Sequence, residues 1–347
     1  MKAMALKNIT DFARNKSPLE MVRMERPVPG PGQILVRVSR CGVCHTDLDV
    51  IEGRTPTPVL PVIPGHQVVG LVEETVEGAA RYKPGDRVGI AWIYSSCGRC
   101  KFCLTGRENL CPDFRATGRD ANGGYAEYIA VPESYAYPIP DAFSDSEAAP
   151  LLCAGAVGYR SFKLAGIEDG DNVGLMGFGA AGHLVLLMIR HKYPASRVFV
   201  FSRTPGERQF AKELGAFWAG DMPYGDEGEG PPEKLAEIID TTPVWAPVVA
   251  ALGCLERGGR LVVNAITKED ADKQSLLGLD YTRDLWLEKE IKSVANVTRA
   301  DLEEFLPLAA AIPIRPEVQE YPLEDANRAL LEIKERRIRG AKVLKIV

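Results

Sequence analysis

The pattern of apolar and polar positions changes character near Ser144. Before it, the chain reads as short β runs broken by Gly and Pro. Residues 33–39 are strand-like, with Pro29-Gly30-Pro31-Gly32 in front of them, and residues 68–74 form a second candidate. Residues 83–88 read as a turn entering a strand, and residues 123–131 as a glycine turn followed by one. This density of short strands and breakers predicts a β-rich, barrel-like unit. Beyond Ser144, residues 147–164 have helical spacing with small residues. Strands are then expected at 172–176, 197–201, 261–265 and 291–294, with helices at 180–191 and 206–214. Such alternation predicts a parallel sheet with helices on both faces, so the fold class is α/β with a β-rich first part. Residues 221–232 are acidic and Gly/Pro-rich, an expected surface loop to which no function is assigned.

The bulk numbers narrow the function classes. At roughly 100–200 residues per domain, the 347 residues suggest two domains. A net charge of −5 gives no support to a nucleic-acid face or to attraction by an anionic membrane surface. No apolar run approaches the ~20 residues of a membrane helix. The strand-like start, residues 1–6, lacks the apolar stretch of a signal peptide, so a cytoplasmic location is expected. Eight cysteines cluster at short spacings, which in a long intracellular chain argues for metal over disulfides.

Three groups of residues carry chemistry. Cys97-x-x-Cys100-x-x-Cys103 followed by Cys111 can close a tetrahedron around one Zn²⁺, and a closed site is structural. Spacing alone also admits an iron–sulfur cluster or four ordinary thiols. Cys44-His45-Thr46-Asp47, Gly65-His66 and Cys153 are too far apart for spacing to link them; taken singly, His66 and Cys153 read as buried structural residues. Gly177-Phe178-Gly179-Ala180-Ala181-Gly182 follows an expected strand and opens an expected helix, the setting in which a G-x-G-x-x-G turn receives a dinucleotide pyrophosphate at a helix N-terminus. The next strand ends in Phe201-Ser202-Arg203-Thr204, where an NAD-specific chain usually places an acid. With no acid in that stretch, and with Arg203 able to pair with a 2′-phosphate and Ser202 and Thr204 able to donate to it, NADP(H) is favoured over NAD(H).

Residues 41–47 (Cys-Gly-Val-Cys-His-Thr-Asp), Gly65-His66, the four-cysteine lobe and the glycine turn occur in an order that resembles the zinc-dependent medium-chain alcohol dehydrogenases, bacterial type, through nearly the whole chain. The resemblance implies a GroES-like catalytic domain over 1–150 with a zinc lobe near 95–113. It further implies a Rossmann domain over 151–297 and a C-terminal return, 298–347, to the first. It implies two Zn per subunit: a catalytic one on Cys44, His66 and Cys153, and a structural one on Cys97, Cys100, Cys103 and Cys111. Asp47 and Gln67 would stand behind the catalytic metal, Thr46 and Asp49 would carry the proton, and Trp92 would wall the substrate pocket. Ala180 and the three turn glycines would meet the cofactor, with His45 and Arg299 near its phosphates. Cys41 and Cys254 have no counterpart role, and Trp286 reads as an interface or core residue. In this chain Gln67 stands where many relatives have Glu, and Asp49 where many have a relay His.

The implied activity is reversible hydride transfer between a primary or small hydrophobic alcohol or aldehyde and NADP(H) or NAD(H), in a homo-oligomer, tetramer or dimer. A secondary-alcohol, polyol or cinnamyl-type dehydrogenase differs only in its pocket. A zinc-ribbon interaction module is the reading from another class. The Cys₄ cluster alone permits it; the acidic charge and the dinucleotide turn oppose it.

Overall fold

In the computed structural model, residues 1–222, 230–312, 314–335 and 340–347 are described; residues 223–229 of the expected acidic loop lie outside them. The chain divides into two compact units, Met1–Ala156 with Val297–Val347, and Val157–Asn296. Among the described residues, no helix is long and apolar enough to cross a membrane.

The first unit is built on strand Gln33–Val43. It pairs antiparallel with Val68–Thr75, with Tyr128–Pro132 and with the C-terminal strand Ala341–Lys345, itself bordered in parallel by Val318–Pro322. Arg87–Ile90 and Ala136–Pro138 extend the other side. Alternate residues of these strands turn inward, so Ile34, Val36, Val38, Val68, Val72, Val88 and Ile90 form a common core with Leu6, Phe12 and Leu344. A separate small ladder, Ile93–Ser95 with Arg115–Ala116, frames the cysteine lobe.

The expected helix over 147–164 is divided. Ser144 and Glu147 close a capping box that starts helix Asp145–Pro150. Leu151–Gly155 then widens into a π-helical turn, and helix Ala156–Ala165 follows. Wide turns of this kind re-aim side chains, and Cys153 sits in this one.

The second unit carries six parallel strands in the order Trp218–Gly220, Arg197–Phe201, Asn172–Met176, Leu235–Asp240, Leu255–Val263, Glu290–Ser293. Numbered along the chain this is 3-2-1-4-5-6, the doubly wound Rossmann order. The expected strands at 172–176 and 197–201 match in both bounds. Leu235–Asp240 and Trp218–Gly220 were not expected. The first mixes Glu237 and Asp240 into its apolar run, and the second is only three residues long. Trp286 is 53% exposed, which excludes the core reading, whereas Cys254 is buried in this unit's core.

One buried ion pair makes the C-terminal segment sensitive to acid. Lys342, 1% exposed, donates to Glu332 Oε2 at 2.6 Å and to the Tyr321 hydroxyl at 2.8 Å. The Lys342 hydrogen bond, then Tyr321, holds Glu332 down at about 2 against an ordinary 4.5. A carboxyl depressed in the folded state contributes stability above its unfolded value, and that contribution is lost as pH falls from 4.5 towards 2. Glu332→Gln should therefore flatten stability against pH in this window. It should also cost about 3 kcal/mol at neutral pH by leaving Lys342 without its counter-charge. Urea unfolding midpoints of both proteins from pH 7 to pH 2.5 check this; parallel curves would refute it.

Candidate active site

Strand Gln33–Val43 ends one residue before Cys44, and Cys44 is also the N-cap of helix His45–Ile51. Its Sγ accepts the Thr46 N–H at 3.2 Å, and the Asp47 carboxylate reaches back to the Cys44 N–H at 2.9 Å. This is a capping box with sulfur in the serine's place. The same carboxylate collects three further groups. Oδ2 accepts the Tyr125 hydroxyl at 3.1 Å, while Oδ1 accepts the Gly65 N–H at 3.3 Å and lies 3.2 Å from His66 Nδ1. Gly65 has φ +97°, and a Cβ there would come within 2.4 Å of the Tyr125 ring, so the turn that presents His66 admits only glycine.

With Nδ1 on Asp47, His66 turns Nε2 to within 3.4 Å of Cys44 Sγ, and Cys153 Sγ lies 3.9 Å from the same sulfur. A tetrahedral zinc with Zn–S of about 2.3 Å and Zn–N of about 2.0 Å sets S···S edges of ~3.8 Å and S···N edges of ~3.5 Å. The three donors, all within 4.8 Å of one another, fit that ion. Three protein ligands, as opposed to four, are the number found in catalytic zinc sites. Before a metal enters, the Cys153 hydrogen bond holds Cys44 well below the ordinary thiol range, with His66 adding to the effect against burial. The same bond, with burial, pushes Cys153 well above it. Burial pulls His66 down, but the charges of Asp47 and Cys44 outweigh it and lift the imidazole to about 10. Metal entry must then displace protons from Cys153 and His66, so affinity rises with pH.

The other residues assigned to this region are placed as follows. Thr46 is half-buried, and its side chain helps hold the Cys44 thiol down; His45 is exposed. Gln67 is buried and its carbonyl accepts the Gly42 N–H at 2.9 Å. Trp92 is buried and stands edge-on to His66 at 4.9 Å, so it backs a metal ligand. Asp49, 1% exposed, is sealed from solvent: Oδ1 accepts Arg54 Nε at 2.6 Å and Oδ2 has no hydrogen-bond partner. Burial raises its carboxyl and Arg54 opposes this. Arg54, which the motif did not flag, also binds Glu52, and Lys334 binds Glu52 at 2.9 Å. Cys41 is a buried thiol without a place in the cluster.

The four lobe sulfurs also lie within 4.8 Å of one another. Cys100 and Cys103 are 3.5 Å apart, and Cys97 and Cys103 3.9 Å. Backbone N–H groups of Arg99 and Cys100 hold Cys97 down at about 6, so it is ready as a thiolate ligand. Between Cys103 and Cys111 sits Glu108, which is buried and accepts the Arg299 backbone N–H at 2.7 Å and Arg299 Nε at 3.3 Å. Arg299 also lies over the Tyr135 ring at 5.5 Å, and Glu108 was not singled out in the sequence.

In the second unit, Gly177 ends strand Asn172–Met176 with φ +83°, and Gly179 is the N-cap of helix Ala180–Lys192, with Gly182 buried in its first turn. A Cβ at Gly177 would meet Thr241 Oγ1 at 2.9 Å, so the turn runs close under the next strand end. The region of Ser202 departs from expectation. Ser202 is buried and its hydroxyl donates to Glu207, in the first turn of helix Pro205–Glu213, while accepting the Thr204 N–H at 3.1 Å. An acid does therefore reach the strand end, from three residues beyond Thr204, and Ser202 has no hydroxyl proton left for a phosphate. Arg203 and Thr204 are exposed.

Asp47→Ala should weaken zinc binding at the three-donor cluster by roughly 10–100-fold, because it frees the His66 ring and the Cys44 backbone together. Competition with a chromogenic chelator at two pH values checks this, with tighter binding expected at the higher pH in the wild type. Unchanged affinity in the variant would refute the role given to Asp47.

Known proteins resemble this chain over most of its length. The alcohol dehydrogenase GroES-like domain matches residues 30–141. The chain is 43% identical to the probable alcohol dehydrogenase AdhA of Mycobacterium tuberculosis (strain CDC 1551 / Oshkosh) over 334 residues, covering 95% of this chain and 93% of that one. It is 35% identical to an alcohol dehydrogenase of Geobacillus stearothermophilus, covering 95% and 96%. The solved cobalt- and zinc-bound thermostable alcohol dehydrogenase of Pyrobaculum aerophilum superposes with a TM-score of 0.83 at 26% identity, covering 100% and 99%. The chain belongs to the zinc-type medium-chain alcohol dehydrogenase family.

Proposed function

We propose that this chain is a zinc-dependent alcohol dehydrogenase that interconverts primary or small hydrophobic alcohols and their aldehydes. The observation that carries the reading is the three-donor cluster of Cys44, His66 and Cys153 at tetrahedral edge distances. Bound there, zinc supplies Lewis-acid polarisation of an alcohol or carbonyl oxygen, and a nicotinamide dinucleotide supplies or takes the hydride. The second ion, on Cys97, Cys100, Cys103 and Cys111, is structural.

The chain's own residues then have separable tasks. Asp47 fixes the His66 ring and the Cys44 backbone. Thr46 Oγ1 relays the proton that leaves the substrate hydroxyl during oxidation, accepting it as its own hydroxyl proton passes on, and the transfers run in reverse during reduction. Asp49 lies three residues on from Thr46, on the same face of helix His45–Ile51, and holds the outgoing proton at its unpartnered Oδ2. Neutral Gln67 leaves the metal without an extra carboxylate. Trp92 keeps water from the His66 side. Gly177, Gly179, Ala180 and Gly182 receive the cofactor pyrophosphate. The working form is a homo-oligomer. The fully exposed edge strand Glu290–Ser293, with Ile291 and nearby Trp286 in solvent, is a surface that pairing with a second copy would cover.

The test is the initial rate of aldehyde reduction by zinc-loaded protein, with NADPH and NADH in parallel. Cys153→Ser should lose one of two zinc equivalents and, since Lewis-acid polarisation is worth several kcal/mol, roughly a thousandfold in rate. No turnover by wild-type protein holding both ions would overturn the assignment.

A further inference from the structure

Phe201 ends its strand against the glycine turn: its carbonyl accepts the Gly177 N–H at 2.9 Å. The four residues that follow therefore lie where a dinucleotide on that turn places its adenosine ribose. Four charged side chains meet there: Arg203, Glu207, Arg208 and Asp221. Arg208 Nη1 donates to the Ser202 carbonyl at 2.7 Å and to the Arg203 carbonyl at 3.2 Å, and Arg208 lies 3.8 Å from Asp221. Its guanidinium is thereby engaged with backbone. Arg203 is exposed, and among the described residues only its carbonyl is used. Glu207 is held at the Ser202 hydroxyl, and that hydroxyl is fixed in turn by the Thr204 N–H. The strand end thus offers one open cation and one anchored anion.

We infer that Glu207, acting from the helix that follows the strand, is the residue that discriminates between the two nicotinamide cofactors. An anchored carboxylate accepts hydrogen bonds from vicinal ribose hydroxyls and repels a 2′-phosphate, whereas Arg203 attracts that phosphate. Ser202 holds the carboxylate in position and donates to it, so it does not serve the phosphate. The balance between Glu207 and Arg203 sets the preference, and Glu207 holds use of NADP(H) down. This rests on the reading that a dinucleotide binds at the turn of Gly177, Gly179 and Gly182.

The experiment is calorimetric titration of wild type, Glu207→Gln, Glu207→Asp and Arg203→Gln with NAD⁺ and with NADP⁺, supplemented by KM and kcat for NADH and NADPH. Glu207→Gln should raise the ratio of NADP⁺ to NAD⁺ affinity roughly tenfold, about what one like-charge contact near a surface is worth. The change should fall on Kd and KM, with much less on kcat. Glu207→Asp should keep most of the discrimination, and Arg203→Gln should lower the ratio. A ratio in Glu207→Gln within twofold of wild type, with both nucleotides still bound, overturns this inference alone. Wild-type protein that binds neither nucleotide overturns the dehydrogenase reading and this inference with it.

Discussion

The three-donor cluster depends on a carboxylate that belongs to none of its ligands. Asp47 is 2% exposed, and burying its charge costs free energy unless hydrogen bonds replace the lost water. Here the replacements are the Cys44 N–H, the Gly65 N–H and the Tyr125 hydroxyl, with His66 Nδ1 at 3.2 Å as an ion-pair partner. Those partners run along the chain from Cys44 to Tyr125, which lies 78 residues beyond Asp47. Satisfying one anion thus draws a helix start, a glycine turn and a distant strand entry to a single point. Two metal ligands are oriented in the process.

How much of this was legible varies with how local the signal is. The cysteine lobe, the glycine turn and the strands at 172–176 and 197–201 are written in contiguous stretches, where spacing and periodicity decide conformation. Cys153 was legible only through the family resemblance, since its wide turn interrupts a stretch with continuous helical spacing. Glu207 was missed because the acid was sought at the strand end, whereas a helix turn brings it back to Ser202 from five residues on. Glu108 and Arg299 are 191 residues apart, and no single-sequence pattern joins them.

Two substitutions against the family pattern also find a physical setting. Asp49 stands where the family resemblance implies a relay histidine, and charged neighbours accompany it. Arg54 neutralises one oxygen, Glu52 shares Arg54, and Lys334 shares Glu52. Burial raises the Asp49 carboxyl, and Arg54 offsets part of the cost of holding a charge there. Gln67 needs no such compensation. It is neutral, buried and tied to Gly42 through its backbone.

The frame that carries Cys44 is completed from the far end of the chain. Strand Ala341–Lys345 pairs with residues 40–43, Lys342 opposite Val43, one residue before the ligand. The neighbouring strand on the other side, Val68–Thr75, begins two residues after His66. The ladder that fixes both ligands therefore includes the last described strand, and that strand is anchored by the buried Lys342–Glu332 pair. Loop closure over some three hundred residues must be met before this edge is covered. Once met, it makes the geometry of the metal cluster a property of the whole first unit, so that loosening Lys342 from Glu332 reaches Cys44 through backbone hydrogen bonds.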